Sequence, residues 1–124
     1  MEMMTKGQME AEITKEIVKI VKECTGRGPT DTKTYIIEDI IVIREKDVLT
    51  PIEQHLLVTE DPAVGRELIK HIRELIERKN RDIFQEMIKR IVGKNITGFY
   101  EDISIKSVER IIVFTLDAPV EFKK

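Results

Sequence analysis

The sequence predicts a single α+β domain of order α-β-β-α-α-β-β, with a four-stranded antiparallel sheet and helices packed on one face. Two observations predict this class. Apolar residues recur at helical spacing over residues 6–25 and 62–92. Two pairs of short β-branched runs each flank a polar connection, as in β-hairpins. Because 124 residues with 41% hydrophobic content suit one core, we take residues 1–124 as one domain, with its core at about 5–118.

The first predicted helix covers residues 6–25. Thr5 and Gln8 have the spacing of a capping box at its start. Gly26 ends it, because glycine adopts the left-handed conformation without a Cβ clash. An apolar stripe runs between them at steps of three or four residues, and consists of Met9, Ile13, Ile17, Ile20 and Cys24. Cys24 is therefore interpreted as a core residue and not as a nucleophile.

A hairpin and a short helix are predicted next. The β-branched runs at 34–37 and 40–43 are separated by the turn formers Glu38-Asp39. Thr50 then has the features of an N-cap: Pro51 stands at the first helical position, and Glu53 completes a capping box. A helix from 51 to about 58 follows from this signal.

A long helix is predicted over about 62–92, between Asp61-Pro62 and Gly93. Unbroken, it is about 45 Å long. Its stretch 77–82 is wholly polar, and a kink or a solvent-crossing stretch could lie there. This length exceeds what four short strands can cover. Part of the apolar stripe is therefore predicted to pack against a second subunit in a homodimer.

Arginine and glutamate residues alternate along this long helix, and Arg66 and Arg73 are among them. Interleaved charges are typical of a solvated face laced with ion pairs. Contact with a partner protein is the alternative for Arg66 and Arg73, which lie seven residues apart and share a helical face.

The last third of the chain is predicted to be β. Ile96, Phe99, Ile103 and Ile105 belong to one run, and 111–116 form the other. Residues 106–110 form the polar connection. The C-terminal tail, 119–124, contains a proline and two final lysines and is expected to be flexible.

Composition excludes several classes of protein. With 21 basic and 23 acidic residues the net charge is −2, so we expect no nucleic-acid partner. Stacking of RNA bases on Phe99, Tyr100 or Phe114 is a minor alternative to core packing. The longest strongly apolar run, 40–43, is far shorter than a membrane span of about 20 residues. The single cysteine and the lack of a signal-peptide pattern predict a cytoplasmic protein.

No catalytic residue, cofactor or metal site is predicted. His55 and His71 lie 16 residues apart, without the i, i+4 partner that zinc-binding helices supply. The loop Gly26-Arg27-Gly28-Pro29 has two interpretations, a helix stop leading into the sheet or a contact for an anionic ligand. If Arg27 is functional, Arg27→Ala should change stability by less than about 0.5 kcal/mol yet weaken binding. The candidate contact residues for a ligand or partner are Gly26, Arg27, Gly28, Pro29, Arg66 and Arg73.

Several short motifs follow one another along the chain. They are Gly26-Arg27-Gly28-Pro29, the hairpin, Leu49-Thr50-Pro51 with Glu53, Gly65-Arg66-Glu67-Leu68 with Arg73, Val92-Gly93 or Thr97-Gly98, and Val113-Phe114-Thr115-Leu116. In this order and spacing they resemble the bacterial MpsC family over about residues 4–118.

This resemblance implies a small, soluble, non-enzymatic component encoded with the membrane subunits of a Na⁺-translocating, membrane-potential-generating system linked to inorganic carbon uptake. We therefore expect an accessory or regulatory subunit that reaches a membrane only through a partner protein. The alternatives are a sensor of a small anion or nucleotide and, less favoured, an RNA- or ribosome-associated protein.

Overall fold

The computed structural model describes residues 3–104 and 106–124. Ile105, predicted to lie in the third strand, is outside these ranges. The elements are α1 (Lys6–Thr25), β1 (Asp31–Ile37), β2 (Ile40–Lys46), α2 (Pro51–Leu57), α3 (Pro62–Lys79), α4 (Arg81–Val92), β3 (Ile96–Ser104) and β4 (Glu109–Leu116). The predicted α+β class is confirmed, as is the order α-β-β-α-α-β-β, in which α3 and α4 together occupy the place of the predicted long helix.

The four strands form one antiparallel sheet of order β1-β2-β4-β3. Side chains alternate between its two faces, so every second residue points towards the helices. Three aligned rows on this inner face are Ile36-Ile41-Phe114-Phe99, Thr34-Ile43-Ile112-Glu101 and Thr32-Glu45-Arg110-Ile103. The first two rows, which are mostly apolar, join the core with α1 and α4.

The predicted stripe of α1 supplies much of this core. Met9, Ile13, Ile17 and Ile20 are buried, and Cys24 is half-buried against the core. Thr5 and Gln8 form the predicted capping box, and Gly26 ends the helix with φ 79°. Among the aromatic residues, Phe114 is 5.1 Å from Phe99 and 5.9 Å from Phe84 between ring centroids, which is typical of aromatic core packing.

The helix predicted over 62–92 covers the predicted residues but is divided at Asn80 into α3 and α4. This residue has φ −104° and ψ 11°, and its side-chain amide donates to the Ile76 carbonyl at 2.8 Å. A side chain that takes a backbone carbonyl competes with helix propagation. The break lies within the polar stretch 77–82. The homodimer was predicted from the length of an unbroken helix. It stays a prediction, but the helix length no longer supports it.

The C-terminal tail is anchored, although the sequence predicts it to be flexible. The Val120 N–H donates to the Glu38 carbonyl and the Lys123 N–H to the Met4 carbonyl, both at 3.0 Å. Val120 is buried and Phe122 is half-buried against the core. The tail therefore packs between the β1–β2 turn and the start of α1.

A second, smaller apolar cluster lies under α2 and α3. Leu49, Ile69 and Ile103 are buried there, with Leu56 and Leu57 packed against them. The α2–α3 unit therefore sits on the end of the sheet where the inner face becomes charged. None of the helices in the described ranges combines the length and hydropathy needed to cross a bilayer.

Candidate functional site

Two arginines hold the connector between β2 and α2. Arg27 donates to the carbonyls of Asp47 at 3.1 Å and Leu49 at 2.5 Å, and to the Asp47 carboxylate at 2.7 Å. Arg73 of α3 donates to the intervening Val48 carbonyl at 2.6 Å. Three consecutive carbonyls are thus satisfied by guanidinium groups. Asp47 has φ 54°, a left-handed conformation that non-glycine residues adopt only where surrounding contacts support it.

Arg73 forms a buried, bidentate ion pair with Glu53. Its Nε lies 2.8 Å from Glu53 Oε2 and its Nη2 lies 2.7 Å from Glu53 Oε1. The two side chains are only 2% and 6% exposed. Glu53 also accepts from the Thr50 N–H at 2.9 Å, as the predicted capping box requires. One carboxylate therefore caps α2 and fixes α3 on it.

Arg110 stands between two carboxylates at the end of the sheet. Its Nε lies 3.3 Å from Glu45 Oε1 and 3.3 Å from Glu101 Oε2, at ion-pair distance but without hydrogen-bond geometry. Glu45 is fully buried and Arg110 is 5% exposed. We call Glu45, Glu53, Arg73, Glu77, Glu101 and Arg110 the buried charge cluster.

Glu77 completes the cluster from α3 and is 5% exposed. Arg81, one turn further along, donates to both of its oxygens at 3.0 and 3.2 Å. Beside Arg73, Glu77 and Arg110 lies a cavity of about 10 Å³, room for about one water molecule. Within the described ranges, no group of three or more acidic, histidine or cysteine residues has the arrangement of a metal site.

The carboxylates of the cluster differ in acidity. Burial raises the pKa of Glu45 above its ordinary value of 4.5, although the charges of Arg110 and Arg73 oppose this. Burial also raises the pKa of Glu101, and Arg110 again opposes the shift. Burial alone would raise the pKa of Glu53 too, but hydrogen bonds from Arg73 and Thr50 bring it below 4.5. The cluster therefore favours the protonated form of Glu45 and Glu101, which flank Arg110, and the ionised form of Glu53.

We expect the free energy of unfolding to rise as the pH falls from about 8 towards 5. Above pH 4.5, the raised pKa values of Glu45 and Glu101 let the folded protein bind more protons than the unfolded chain. This stability is lost as the pH rises through the folded-state values. Each unit by which a folded-state pKa is raised contributes about 1.4 kcal/mol. Below 4.5 the trend reverses, because the lowered pKa of Glu53 makes its protonation destabilising.

Urea unfolding across this pH range measures the effect. Glu45→Gln should flatten the rise, since it removes one of the two titrating groups. The matched variant Glu60→Gln, at an exposed position, should leave the rise intact. A wild-type curve that is level between about pH 8 and 5, or an unchanged slope in Glu45→Gln, would contradict the assignment.

The structure brings two of the predicted contact residues together. Arg27 and Arg73 meet at the connector, where their donors contact atoms of the chain itself. Gly26 is the helix stop, and Gly28 and Pro29 are half-buried in the loop that follows. Arg66 is exposed and contributes nothing to this cluster. The interpretation of the Arg27 loop as a helix stop leading into the sheet agrees with this geometry better than a ligand contact does.

Arg27→Ala is expected to lower the free energy of unfolding by about 1–2 kcal/mol. The variant leaves the Asp47 and Leu49 carbonyls without these donors, and half-buried acceptors that lose a partner cost up to that amount. The guanidinium is 34% exposed, so water recovers part of the loss. Thermal unfolding beside Arg66→Ala, a change at an exposed position, measures it. A loss below about 0.5 kcal/mol would reopen a binding role for Arg27.

The interpretation of the α3 charges as a solvated face is wrong for Arg73 and Glu77, which are buried at 2% and 5% exposure. Sequence reasoning also missed Glu45, Glu101 and Arg110. A signal for each was present in the alternation along its strand. Glu45 continues the alternation of Ile41 and Ile43, Glu101 lies between Phe99 and Ile103, and Arg110 precedes Ile112 and Phe114 at the same two-residue step. On α3, the four-residue step leads from Gly65 through Ile69 to Arg73 and Glu77.

Most aliphatic side chains of α3 point away from the protein, whereas Ile69 is buried and Ile76 is half-buried. Val64, Leu68, Ile72 and Leu75 are 39–53% exposed, and we call them the α3 face. This inverts the usual amphipathic arrangement, in which a helix buries its apolar stripe. Exposed apolar patches rimmed by polar residues are common at protein interaction sites, so the α3 face is a candidate for one.

Comparison with known proteins identifies the family. The family model described as "Na+-translocating membrane potential-generating system (MpsC)" matches residues 5–118. A relative from Bacillus subtilis (strain 168), described as "Uncharacterized protein YbcI", is 32% identical over 112 residues, which cover 90% of this chain and 88% of the relative. No solved structure matches the chain. The match over nearly the whole domain shows that the chain belongs to the MpsC family.

Proposed function

We propose that this protein is a non-enzymatic, cytoplasmic accessory subunit that docks through its α3 face onto a membrane protein of a Na⁺-translocating, membrane-potential-generating system. The observation that carries the proposal is the outward α3 face of a chain in this family. A partner surface that is apolar at its centre and polar at its rim would complement the α3 face.

The construction of α3 supports docking. The helix buries charged side chains, Arg73 and Glu77, and leaves Leu68 and Ile72 in water. Burying charges requires compensating ion pairs, and exposing aliphatic groups forgoes hydrophobic stabilisation. In the isolated chain this arrangement is held by the buried charge cluster together with the apolar contacts of Ile69. Covering the α3 face would recover the hydrophobic term, about 25 cal/mol for each Å² of apolar area removed from water.

The chemistry of the cluster supports a structural subunit over a catalyst. Its arginines contact carboxylates and backbone carbonyls of the same chain. The cavity beside Arg73, Glu77 and Arg110 has room for about one water molecule, and the open cleft beside Arg73, Glu101 and Asp102 has a volume of about 220 Å³. Substrates of enzymes and ligands of sensors require clefts of about 300 Å³ or more. The cluster instead fixes the orientation of α3, and hence of the docking face.

Affinity co-purification from mildly solubilised cells of the source organism, read by mass spectrometry, tests the proposal. A tagged wild-type chain should retain a polytopic membrane protein. Leu68→Glu and Ile72→Glu place charges on the α3 face and should each abolish that retention. The matched control is Met3→Glu, which adds the same charge at a similarly exposed apolar residue, 49% against 45% for Leu68.

Two outcomes would overturn this function. One is recovery of the wild-type chain without a membrane protein, under conditions that keep known membrane complexes intact. The other is equal retention by Leu68→Glu and the wild type, which would remove the α3 face from the interaction. Circular dichroism of each variant checks that it remains folded.

A further inference from the structure

The outer face of the sheet, opposite α1 and α4, carries an apolar row across all four strands. The register aligns Tyr35 of β1, Val42 of β2, Val113 of β4 and Tyr100 of β3. An adjoining row runs Ile37-Ile40-Thr115-Gly98. We call these two rows the outer sheet face. Its edges are open to solvent, since Tyr35, Ile37 and Tyr100 are 45%, 55% and 61% exposed.

A charged row borders the outer sheet face, and its two ends have opposite signs. It runs Lys33-Arg44-Ile111-Asp102 from β1 to β3. Arg44 forms an ion pair with Glu109 of the same chain at 2.8 Å, which compensates the charge near the sheet centre. Asp102 lies 3.3 Å from Lys70, yet its side chain is 80% exposed. Lys33 at one edge and Asp102 at the other therefore remain accessible to a partner.

We propose that the outer sheet face binds a second copy of this chain, so that two sheets pack face to face about a twofold axis parallel to the strands between β2 and β4. This dimer goes beyond the accessory function proposed above, because it uses the opposite side of the molecule from the α3 face.

The symmetry of the rows carries the argument. A twofold axis in this position places β1 of one copy over β3 of its partner and β2 over β4, without shifting along the strands. Tyr35 of one copy then meets Tyr100 of the partner subunit, and Val42 meets Val113 of the partner subunit. Lys33 comes over Asp102 of the partner subunit. Apolar rows thus meet apolar rows, and opposite charges meet twice, once on each side of the axis.

Other occupants suit the outer sheet face less well. Nucleic acid requires a basic surface for its phosphates, whereas this charged row ends in an acid and the chain carries a net charge of −2. Tyrosines at the two edges and valines at the centre match an aligned sheet sandwich, in which inner faces pack about 10 Å apart. Tyrosine is also among the residues enriched at protein interfaces.

Cross-linking in a Cys24→Ser background tests the geometry without disturbing the apolar rows. Lys33→Cys and Asp102→Cys are prepared separately and then mixed, and a bismaleimide with a reach of about 10 Å is added, matching the spacing of packed sheets. Covalent dimers should form in the mixture and be absent with either variant alone. In either variant alone, the two copies of the introduced cysteine lie at opposite edges of the packed sheets. They are about 14 Å apart laterally, at about 4.8 Å for each strand step, in addition to the separation of the sheets, so the linker cannot join them.

Sedimentation equilibrium supplies an independent measurement. The wild type should be dimeric at micromolar concentration, and Tyr35→Glu should be monomeric while remaining folded by circular dichroism. Leu68→Glu should stay dimeric, which separates this proposal from docking through the α3 face. A monomeric wild type, cross-linking within either single variant, or a dimer lost in Leu68→Glu but kept in Tyr35→Glu would each overturn the proposed interface.

Discussion

Arg73→Ala is expected to lower the free energy of unfolding by about 3–5 kcal/mol, the largest loss we predict for a single substitution. The wild-type guanidinium is 2% exposed and donates twice to Glu53 and once to the Val48 carbonyl. Its removal leaves a buried carboxylate without a counter-charge and a backbone carbonyl without that donor. Urea unfolding at neutral pH measures the loss.

Replacing Glu53 together with Arg73 distinguishes the cost of an unpaired buried charge from the cost of lost packing. The double variant Arg73→Met, Glu53→Leu replaces both charges with apolar groups of similar volume. It should be more stable than Arg73→Ala, because no charge is left unpaired. A loss of about 1 kcal/mol from the capping box of Thr50 should remain, together with the cost of the Val48 carbonyl losing its donor. Arg66→Ala, at an exposed position of the same helix, should stay within about 0.5 kcal/mol of the wild type.

We also predict which helices Arg73→Ala destabilises first. Arg73 connects α3 to α2 and to the connector at Val48, while α1 and α4 share the main core. Amide hydrogen exchange in Arg73→Ala should therefore accelerate first in α2 and α3. An Arg73→Ala protein that loses less than about 1 kcal/mol, or whose α1 exchanges as early as α3, would show that the ion pair does not hold this unit.

Local signals in the sequence predicted most of the fold. Thr5 and Thr50 begin their helices with the expected capping boxes. Gly26 and Gly93 end theirs in the left-handed conformation. Each signal involves residues within one helical turn of each other, so it can be recognised in the sequence without knowledge of tertiary contacts. The two β-branched runs separated by Glu38 and Asp39 also predicted the β1–β2 hairpin, in which Ile37 pairs with Ile40.

The buried charges were not predicted, because they depend on contacts distant in sequence. Arg73 contacts Glu53, which is 20 residues away in the sequence. Arg110 of β4 contacts Glu45 of the neighbouring strand β2. The aliphatic and charged stripes of α3 are both continuous, so periodicity alone does not say which one is buried. Leu68 and Leu75 lie on the apolar stripe of the predicted long helix and are about half exposed, whereas Ile69 is buried. The break at Asn80 lies in the polar stretch 77–82, where the sequence allowed a kink, and the Asn80 side chain competes there for the Ile76 carbonyl.

Gly65→Ala is expected to lower the free energy of unfolding by about 2–3 kcal/mol, although alanine favours an isolated helix by about 1 kcal/mol over glycine. A Cβ at Gly65 would lie 2.0 Å from the Leu56 carbonyl oxygen and 2.8 Å from its carbon. Both are backbone atoms of α2, so neither can rotate away. The two helices must separate, and that movement strains the Arg73–Glu53 pair and the apolar contacts beneath it.

Gly7→Ala is the matched control, since it makes the same chemical change in α1, where nothing lies within 4 Å of the new Cβ. It should raise stability by up to about 1 kcal/mol through helix propensity alone. Opposite signs for the two variants in parallel urea unfolding would establish that close contact between α2 and α3 determines the effect at Gly65. Stabilisation by Gly65→Ala would mean that these helices approach less closely than the Gly65–Leu56 contact requires, and the orientation of the α3 face would then have to rest on the buried charge cluster alone.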